Sequence, residues 1–162
     1  MNEAQERSKV IGILKNLHPI AVENVTRAGT PDINYVYGWL ELKYLREWPK
    51  KARTIVQIPH YTREQRTWAI RRAVCGGRVH LLLRAEDDWL LLPQPWAAMY
   101  VGKVGKAALI EAAECYWLGR LGAQELLEWL SKPLDHRSSG SWKSLLGNEL
   151  ESCVCVGKTT RK

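Results

Sequence analysis

The stretch that decides the fold is residues 29–45, GTPDINYVYGWLELKYL. Apolar and aromatic residues dominate it, and a glycine near its middle separates two runs of strand length, which predicts a β-hairpin. Three charged side chains, Asp32, Glu41 and Lys43, fall where the hairpin should pack against the rest of the molecule. A buried charge needs a partner or a ligand, so the hairpin is where we expect a functional site.

The register of the hairpin decides which charged side chains meet. A two-residue turn at Tyr37-Gly38 predicts strands over 32–37 and 39–45. Successive side chains alternate between the two faces of a strand, so the polar residues of both strands then share one face. In this register Asp32 lies opposite Lys43, and Asn34 lies opposite Glu41. A turn of three residues would reverse this parity.

Two carboxylates on one face of a hairpin suggest a metal site. At about 4 Å they would repel each other by roughly 4 kcal/mol at an effective dielectric constant near 20, and one lysine offsets only part of that. Mg²⁺ prefers carboxylates, a backbone carbonyl, water and substrate phosphate as ligands. The alternative is an exposed, salt-bridged hairpin in which Lys43 pairs with Asp32 and no metal binds.

The positive charge of the chain is concentrated just after the hairpin. The protein has 162 residues and a net charge of +7, and the segment from Lys43 to Arg72 alone holds nine basic and two acidic residues. The remainder is therefore formally neutral. A local excess of this kind indicates a polyanion-binding surface, with nucleic acid as the first candidate. A solvated basic face, or a site for an acidic protein, remains the alternative.

The rest of the chain predicts an alternation of helices and strands. Helical spacing of apolar residues predicts a first helix over 3–17, ended by Pro19, and a short strand over 20–26. The segment 47–60 is basic and contains two prolines, which favours a loop. Thr62 and Gln65 form a capping-box pattern for a helix that ends near Gly76. Strands should follow over 78–84 and 89–92, and then a helix over 107–130, with a break near Gly119–Gly122 left open.

The hairpin and its neighbours resemble a known nuclease family. Pro31-Asp32 followed by Glu41-Leu42-Lys43 is similar to the motif of the PD-(D/E)XK nuclease superfamily, whose fold has an αβββαβ core. The segments RAGTPD (27–32), WLELK (39–43) and TREQ (62–65) and the glycine at 77 resemble the VRR-NUC branch. That branch occurs in phage and bacterial nucleases, including structure-specific and Holliday-junction-cleaving enzymes.

The resemblance implies an α/β fold with a restriction-endonuclease-like αβββαβ core, in which helices flank a mixed central sheet. It covers residues 1–92, which we expect to form the nuclease core. Residues 93–152 would then be a C-terminal helical extension packed on that core, and 153–162 a flexible basic tail.

The resemblance also implies roles for individual residues. Asp32 and Glu41 would bind Mg²⁺, or Mn²⁺ in its place, with the Leu42 carbonyl as a further ligand. Lys43 would orient or deprotonate the attacking water and stabilise charge in the transition state. Gln65 would hold water or Lys43, or would serve only as the helix cap. An acid from the first helix would join the metal ligands, and we expect Glu6 rather than Glu3.

The predicted function is a Mg²⁺-dependent DNA endonuclease that selects branched DNA or Holliday junctions. The expected DNA contacts are basic side chains of the hairpin, loop and helix: Arg27, Arg46, Lys50, Lys51, Arg53, Arg63 and Arg66. Aromatic residues between these bases (Tyr44, Trp48, Tyr61 and Trp68) would stack on nucleotides. Alternatively, Trp68 would belong to the core and Trp48 would cap the loop. The alternative function is a non-catalytic DNA-binding or adaptor domain that keeps the same fold.

Assembly and location complete the set of predictions. Cleavage of two strands requires a homodimer, for which apolar surface on the 107–130 helix is the candidate interface. No apolar run reaches the ~18 residues that would span a membrane, and the first residues lack the layout of a secretory signal. We therefore expect a protein of the bacterial or phage-infected cytoplasm. The four cysteines and four histidines are too dispersed to indicate a metal site.

Overall fold

The computed structural model describes residues 3–23 and 28–132, which form an α/β fold built on one mixed sheet. The helices are α1 (Glu3–Ile13), α2 (Arg63–Val74), α3 (Trp96–Tyr100), α4 (Lys106–Ala112) and α5 (Ala123–Ser131). The strands are β1 (Ile20–Ala21), β2 (Ile33–Tyr35), β3 (Gly38–Leu45), β4 (Val79–Ala85), β5 (Asp88–Pro93) and β6 (Cys115–Leu118). Within these described ranges, no helix is long and apolar enough to cross a membrane.

The six strands lie side by side in chain order from β1 to β6. Every neighbouring pair is antiparallel except β3 and β4, which are parallel. A parallel pair needs a long crossover, and here α2 supplies it. The N-terminus of α2 therefore lies near the carboxyl end of β3, the strand that carries Glu41 and Lys43.

Helices cover both faces of the sheet, and strand parity assigns each side chain to a face. Leu81 and Leu83 of β4 pack with residues of α2, α3 and α4 on one face. Leu42 of β3 and Leu82 of β4 pack with residues of α1 and α5 on the other. In β3 and β4 the odd-numbered side chains thus point towards α2, and the even-numbered ones point towards α1. Glu41 and Lys43 belong to the face covered by α2.

The hairpin forms as predicted, but its turn lies one residue earlier in the chain. Tyr35 pairs with Gly38 and Ile33 pairs with Leu40, so the turn residues are Val36 and Tyr37. Gly38 opens β3 because it lies against the Arg78 backbone, where a Cβ atom would come within 2.6 Å of the carbonyl oxygen. The turn still has two residues, so the parity of the two strands is the predicted one.

The cap of α2 matches the sequence prediction. The Thr62 hydroxyl accepts a hydrogen bond from the Gln65 backbone N–H, and the Gln65 side chain accepts one from the Thr62 N–H, which completes a capping box. The chain leaves the helix through Gly76, whose φ of +84° is in the left-handed region that glycine adopts without strain.

The C-terminal prediction was wrong in its middle. The expected helix over 107–130 is two shorter helices, α4 and α5, separated by strand β6. The second helix begins just after Gly122, which agrees with the break left open near Gly119–Gly122. In β6 the side chains of Cys115 and Trp117 face the core while Tyr116 and Leu118 are exposed, which is a period of two. The pairing of β6 with β5 decides its structure, because the strand extends an apolar sheet. Within residues 93–132, β6 therefore extends the sheet and α3, α4 and α5 pack on it, while residues 133–152 and 153–162 lie outside the described part.

Smaller differences concern the first helix and the first strand. The α-helix ends at Ile13, and a 3₁₀ turn over Lys15–Leu17 continues it and buries Leu17. The strand expected over 20–26 is assigned only at Ile20–Ala21, and residues 24–27 lie outside the description. The short helix α3, which follows two prolines, had no counterpart in the prediction.

Candidate active site

The hairpin brings Asp32 next to the backbone of β3. Asp32 lies in a bend immediately before β2, and its Oδ2 accepts a hydrogen bond of 2.8 Å from the Leu42 N–H. Continued by one residue, the observed register places Asp32 opposite Glu41 rather than opposite Lys43. Residues opposite each other in an antiparallel pair share a face, so the two carboxylates belong to the same face of the hairpin.

Pro31 leaves the Leu42 carbonyl without a hydrogen-bond donor on the neighbouring strand. In an extended strand the N–H and C=O of one residue point to the same side, so both Leu42 groups face the Asp32 strand. The register, continued further, places Pro31 opposite Leu42. Proline has no N–H and cannot donate to the Leu42 carbonyl. The expected ligand carbonyl therefore lies beside Asp32 with no strand donor opposite it.

Glu41 is the centre of a short buried network. Its Oε1 lies 2.5 Å from Nζ of Lys43 and accepts a hydrogen bond of 2.6 Å from Nε2 of Gln65. The side chains of Glu41 and Lys43 are only 3% and 5% exposed. Glu41 and Lys43 are two residues apart on β3, so their side chains point to the same face of the sheet. Helix α2 covers this face, and its Gln65 contacts Glu41. Lys43 therefore pairs with Glu41, and the alternative pairing with Asp32 is not the one observed.

Gln65 has both of the roles that the sequence left open. Its Oε1 accepts from the Thr62 N–H at 3.0 Å, which caps α2, while its Nε2 donates to Glu41. The capping bond fixes the amide so that its nitrogen faces the carboxylate. The cap of the helix and the orientation of Glu41 are thus linked through one side chain.

An open cavity of about 610 Å³ lies next to this network, and Glu41 is not among the residues that line it. Asp32, Leu42, Lys43 and Gln65 line it, together with Ala4, Arg7 and His60. Arg7 and His60 were not among the predicted site residues. Arg7 projects from α1 and pairs with Glu23 at 3.3 Å, and His60 lies in the exposed approach to α2. Nothing in the local sequence marks either residue, since the sheet alone brings these segments together.

Glu6 is not among the residues that line the cavity, although it lines a smaller pocket together with Leu42 and Lys43. Its Oε1 pairs with the guanidinium of Arg84, a β4 residue whose even number places it on the face covered by α1. Its second oxygen, Oε2, is buried without a hydrogen-bond partner among the described residues. Glu6 does not line the cavity, so binding a metal there would require it to leave Arg84. The side chain of Glu3 lies outside the description.

The basic segment divides into a loop and a helix. The residues expected to contact DNA in the loop are all exposed: Arg46, Lys50, Lys51 and Arg53. The loop is held at both ends, because Trp48 donates its indole N–H to Asp88 at 2.7 Å, and the Val56 N–H donates to the Val104 carbonyl at 2.9 Å. The loop therefore presents its cations on an anchored scaffold.

The other predicted DNA contacts differ in their surroundings. Arg63 is exposed at the start of α2. Arg66 is half-buried, and its guanidinium donates to the carbonyls of Tyr61, Ala98 and Val101. It joins α2 to α3, and we leave it out of the DNA-binding surface. Arg27 lies outside the described residues.

Most of the interleaved aromatic residues belong to the core. Trp48 and Tyr61 are buried, and Trp68 packs edge to face against Trp39 with ring centroids 5.1 Å apart. Burial raises the pKa of the Tyr61 hydroxyl well above its usual value. Tyr44 is the exposed member, with 43% of its surface accessible. The structure agrees with the alternative prediction, since Trp68 packs against the core and Trp48 anchors the loop through its bond to Asp88.

The donor set of the cavity fits a metal that keeps most of its water. Within residues 3–23 and 28–132 there is no cluster of three or more histidine, cysteine or acidic side chains. Two carboxylates and one carbonyl are too few for a zinc or calcium cage, but Mg²⁺ is often bound by one or two carboxylates with water and phosphate.

Neither a protein-family model, nor a curated protein, nor a solved structure is significantly similar to the chain.

Proposed function

We propose that the protein is a Mg²⁺-dependent DNA endonuclease of the restriction-endonuclease-like fold, acting on branched or otherwise distorted DNA. One observation carries the proposal: Asp32, Lys43 and Gln65 line one solvent-open cavity, and Glu41, buried beside them, contacts both Lys43 and Gln65. These four residues are spread over 34 positions of the sequence. The order of the strands supports it too, because an antiparallel hairpin followed by a helix and a parallel strand agrees with the αβββαβ core of the resembling family.

Asp32, Glu41 and the Leu42 carbonyl would hold the metal. Mg²⁺ would supply charge for the phosphate oxygens and a bound water of lowered pKa. The Leu42 N–H holds one oxygen of Asp32, so the carboxylate has a set orientation before any ligand arrives. Gln65 does the same for Glu41. Hydrogen bonds of this kind pre-orient ligands and raise metal affinity.

Lys43 would act on the nucleophile and on the developing charge. Its ammonium group is 2.5 Å from Glu41 and lines the cavity, so a phosphate in the cavity would lie close to a cation. A cation held in a site with little water stabilises negative charge more than one in bulk solvent does. Arg7, which lines the same cavity from α1, would add a second positive charge towards the phosphate.

A non-catalytic role also has one observation in its favour. Glu41 and Lys43 already form a close ion pair, and Gln65 donates to the same carboxylate oxygen. A buried ion pair with a further hydrogen bond of this kind can have a purely structural role, in which it holds β3 and α2 together. Under this adaptor hypothesis the basic loop would bind DNA, but the cavity would not cleave it.

The substitution Asp32→Asn separates the two functions. Asparagine keeps an oxygen that can accept from the Leu42 N–H, so the folded structure should be retained, while the ligand charge is lost. We expect single-turnover cleavage with Mg²⁺ to fall by more than about 100-fold. We expect DNA binding without metal to be unchanged or tighter, because one negative charge is removed. The melting temperature without metal should stay within a few degrees of wild type.

The matched control is Asp87→Asn, the same change in the exposed turn between β4 and β5. It should leave cleavage, binding and melting unchanged. The substrates are four-way, flap, single-stranded and linear duplex DNA, each tested with Mg²⁺ and with Mn²⁺. A wild-type protein that cleaves none of them, or an Asp32→Asn variant as active as wild type, would refute the nuclease proposal.

A further inference from the structure

A second concave surface runs along α2, next to the cavity described above. It is a groove of about 880 Å³, and its walls include Ala28, Arg63, Trp68, Arg71, Arg72 and Cys75. None of the roles assigned so far uses Arg71 or Arg72. The groove and the catalytic cavity lie on either side of the first turn of α2, because Gln65 lines the cavity and Arg63 lines the groove.

The turn at residues 28–30 is packed tightly against the start of α2. Gly29 has a φ of +91°, and a Cβ atom there would lie 2.5 Å from the backbone carbon of Glu64. Only glycine fits this contact, so the turn that leads to Pro31-Asp32 is pressed onto the helix. The same turn, through Ala28, forms part of the groove wall. The groove therefore begins where the catalytic hairpin begins.

The charge of the groove matches a polyanion. Arg63, Arg71 and Arg72 are exposed, and one acid, Glu64, opposes them. Arg71 and Arg72 lie in the last turn of α2, where the helix dipole favours cations, but Arg63 lies in the first turn, where the dipole disfavours them. The Arg72 side chain lies along Gly77, within 2.8 Å of where a Cβ atom of residue 77 would be.

The groove also offers an aromatic surface and a suitable length. Trp68 is half-buried, with Trp39 packed against its ring and the remainder at the groove. Bases stack on such side chains with little sequence preference. The 12 residues of α2 span roughly 18 Å, which is on the order of five nucleotides at about 3.4 Å each. Cations with an aromatic platform are typical of single-strand sites.

We propose that this groove binds single-stranded DNA, a strand that continues from the duplex held at the catalytic cavity. This inference rests on the proposed function and adds the substrate class: a duplex with a single-stranded arm. The basic loop 46–53 holds the duplex, and Arg63, Arg71 and Arg72 contact the phosphates of the arm. Trp68 stacks on one of its bases.

Binding without metal tests the groove independently of cleavage. Fluorescence anisotropy in EDTA compares a blunt duplex with the same duplex carrying a ten-nucleotide single-stranded arm. Wild-type protein should prefer the armed duplex by at least tenfold. The double substitution Arg71→Glu/Arg72→Glu should remove this preference, while affinity for the blunt duplex changes by less than about threefold. Arg120→Glu, a change at an exposed residue just after β6 that does not line the groove, is the charge control.

The two glutamates of the double variant would lie at the C-terminus of α2, where the helix dipole disfavours negative charge and could cause a folding defect. A variant with neutral side chains at the same positions controls for this effect. Arg71→Gln/Arg72→Gln should melt near wild type and lower the log–log salt slope for the armed duplex by up to about 1.4, which is about 0.7 for each single-strand contact. Cys75, exposed at the end of the groove, gives a second readout. The armed duplex should protect it from alkylation, and the blunt duplex should not.

The outcomes distinguish the two proposals. Absence of a preference for the armed duplex in wild type, or a preference that survives both Arg71/Arg72 variants, overturns the groove even in a protein that cleaves DNA. If the wild-type protein cleaves no DNA but its preference for the armed duplex is lost on substitution of Arg71 and Arg72, the groove proposal stands and the nuclease proposal is refuted. Equal protection of Cys75 by both DNAs also counts against the groove.

Discussion

At the scale of single residues, the site depends on hydrogen bonds that the sequence pattern does not display. The pattern marks Asp32, Glu41 and Lys43 as charges out of place, and it marks Gln65 as a cap. The structure adds that Gln65 joins the cap to Glu41, and that Lys43 pairs with Glu41. These pairings follow from the position of α2 over β3, which no local spacing encodes.

Gln65→Glu should affect Glu41 without loss of the helix cap. Glutamate still accepts from the Thr62 N–H, as in other capping boxes, but it no longer donates to Glu41 and sets a second carboxylate against it. We expect a lower melting temperature without metal, partial recovery with Mg²⁺ or Mn²⁺, and altered turnover or metal preference. Thermal melts with and without each metal, together with cleavage rates, provide the measurement.

The matched variant is Thr62→Ala, which removes the hydroxyl half of the same capping box and leaves the Gln65–Glu41 contact in place. It should cost about 1 kcal/mol of stability whether or not metal is present. Its cleavage should stay close to wild type. Identical metal dependence in the Gln65→Glu variant and in wild type would leave Gln65 as a cap alone.

At the scale of elements, the basic loop is an exposed segment anchored by buried residues. Trp48 and Val56 are in the core, and between them the loop carries Lys50, Lys51 and Arg53 into solvent. The sequence identified the charge and the loop. It did not reveal the anchors, because the partner of Trp48 is Asp88, which lies 40 residues away.

Replacement of Lys50, Lys51 and Arg53 by alanine should weaken DNA binding without a loss of stability. Each lost phosphate contact should lower the log–log salt slope by about 0.9, so the slope of the triple variant should be lower than that of wild type by up to about 2.7. Melting should be unchanged, since exposed side chains seldom contribute more than about 0.5 kcal/mol. Lys15→Ala/Arg120→Ala removes exposed charges elsewhere and should leave the slope as it is. An unchanged slope in the triple variant would show that the loop does not contact DNA.

Asp88 anchors the loop, β5, β6 and α4, and this contact should depend on pH. Burial by itself would raise the pKa of the Asp88 carboxyl, but hydrogen bonds from Lys106, Tyr116 and Trp48 outweigh it and hold that pKa below its usual value. A carboxylate with a lowered pKa stabilises the fold above its unfolded pKa of about 3.9 and loses that contribution as the pH falls through its folded pKa.

Asp88→Asn should therefore be destabilising at neutral pH, by about 1–3 kcal/mol, because one oxygen cannot replace two for three donors. The difference in melting temperature between wild type and variant should shrink below about pH 4. The control is Asp87→Asn, next in the chain and exposed. A difference that stays constant from pH 7 to pH 3 would contradict the assigned role of the Asp88 charge.

At the scale of the whole molecule, the apolar surface expected to form a dimer interface is buried against the sheet within the protein. The apolar residues of the expected 107–130 helix, Leu109, Leu126 and Leu130, are fully buried within the fold. In the part of the chain that the structure describes, β6 is instead an edge of the sheet, and Leu118 on it is 77% exposed. An exposed apolar edge strand can pair with a second chain.

If the protein is a homodimer, as cleavage of two strands requires, β6 is the expected interface. Light scattering at micromolar concentration should give twice the monomer mass, and Leu118→Lys should reduce it to the monomer mass. The variant should still nick one strand but should lose paired cleavage. Val36→Lys, the same kind of change at the exposed hairpin turn, should leave the mass unaltered. A monomeric wild type would refute the dimer.

The sequence by itself determined the parts of this protein that depend on near neighbours. Alternation and a central glycine predicted the hairpin, the Thr62–Gln65 spacing predicted the capped helix, and local charge identified the basic loop. The tertiary structure alone decided what depends on distant neighbours. It made residues 115–118 a strand, because β5 had an open edge with which they could pair. It also paired Glu6 with Arg84 and placed the Gln65 amide where it donates to Glu41. Periodicity reports one element at a time, whereas these contacts exist only once the sheet has set the elements side by side.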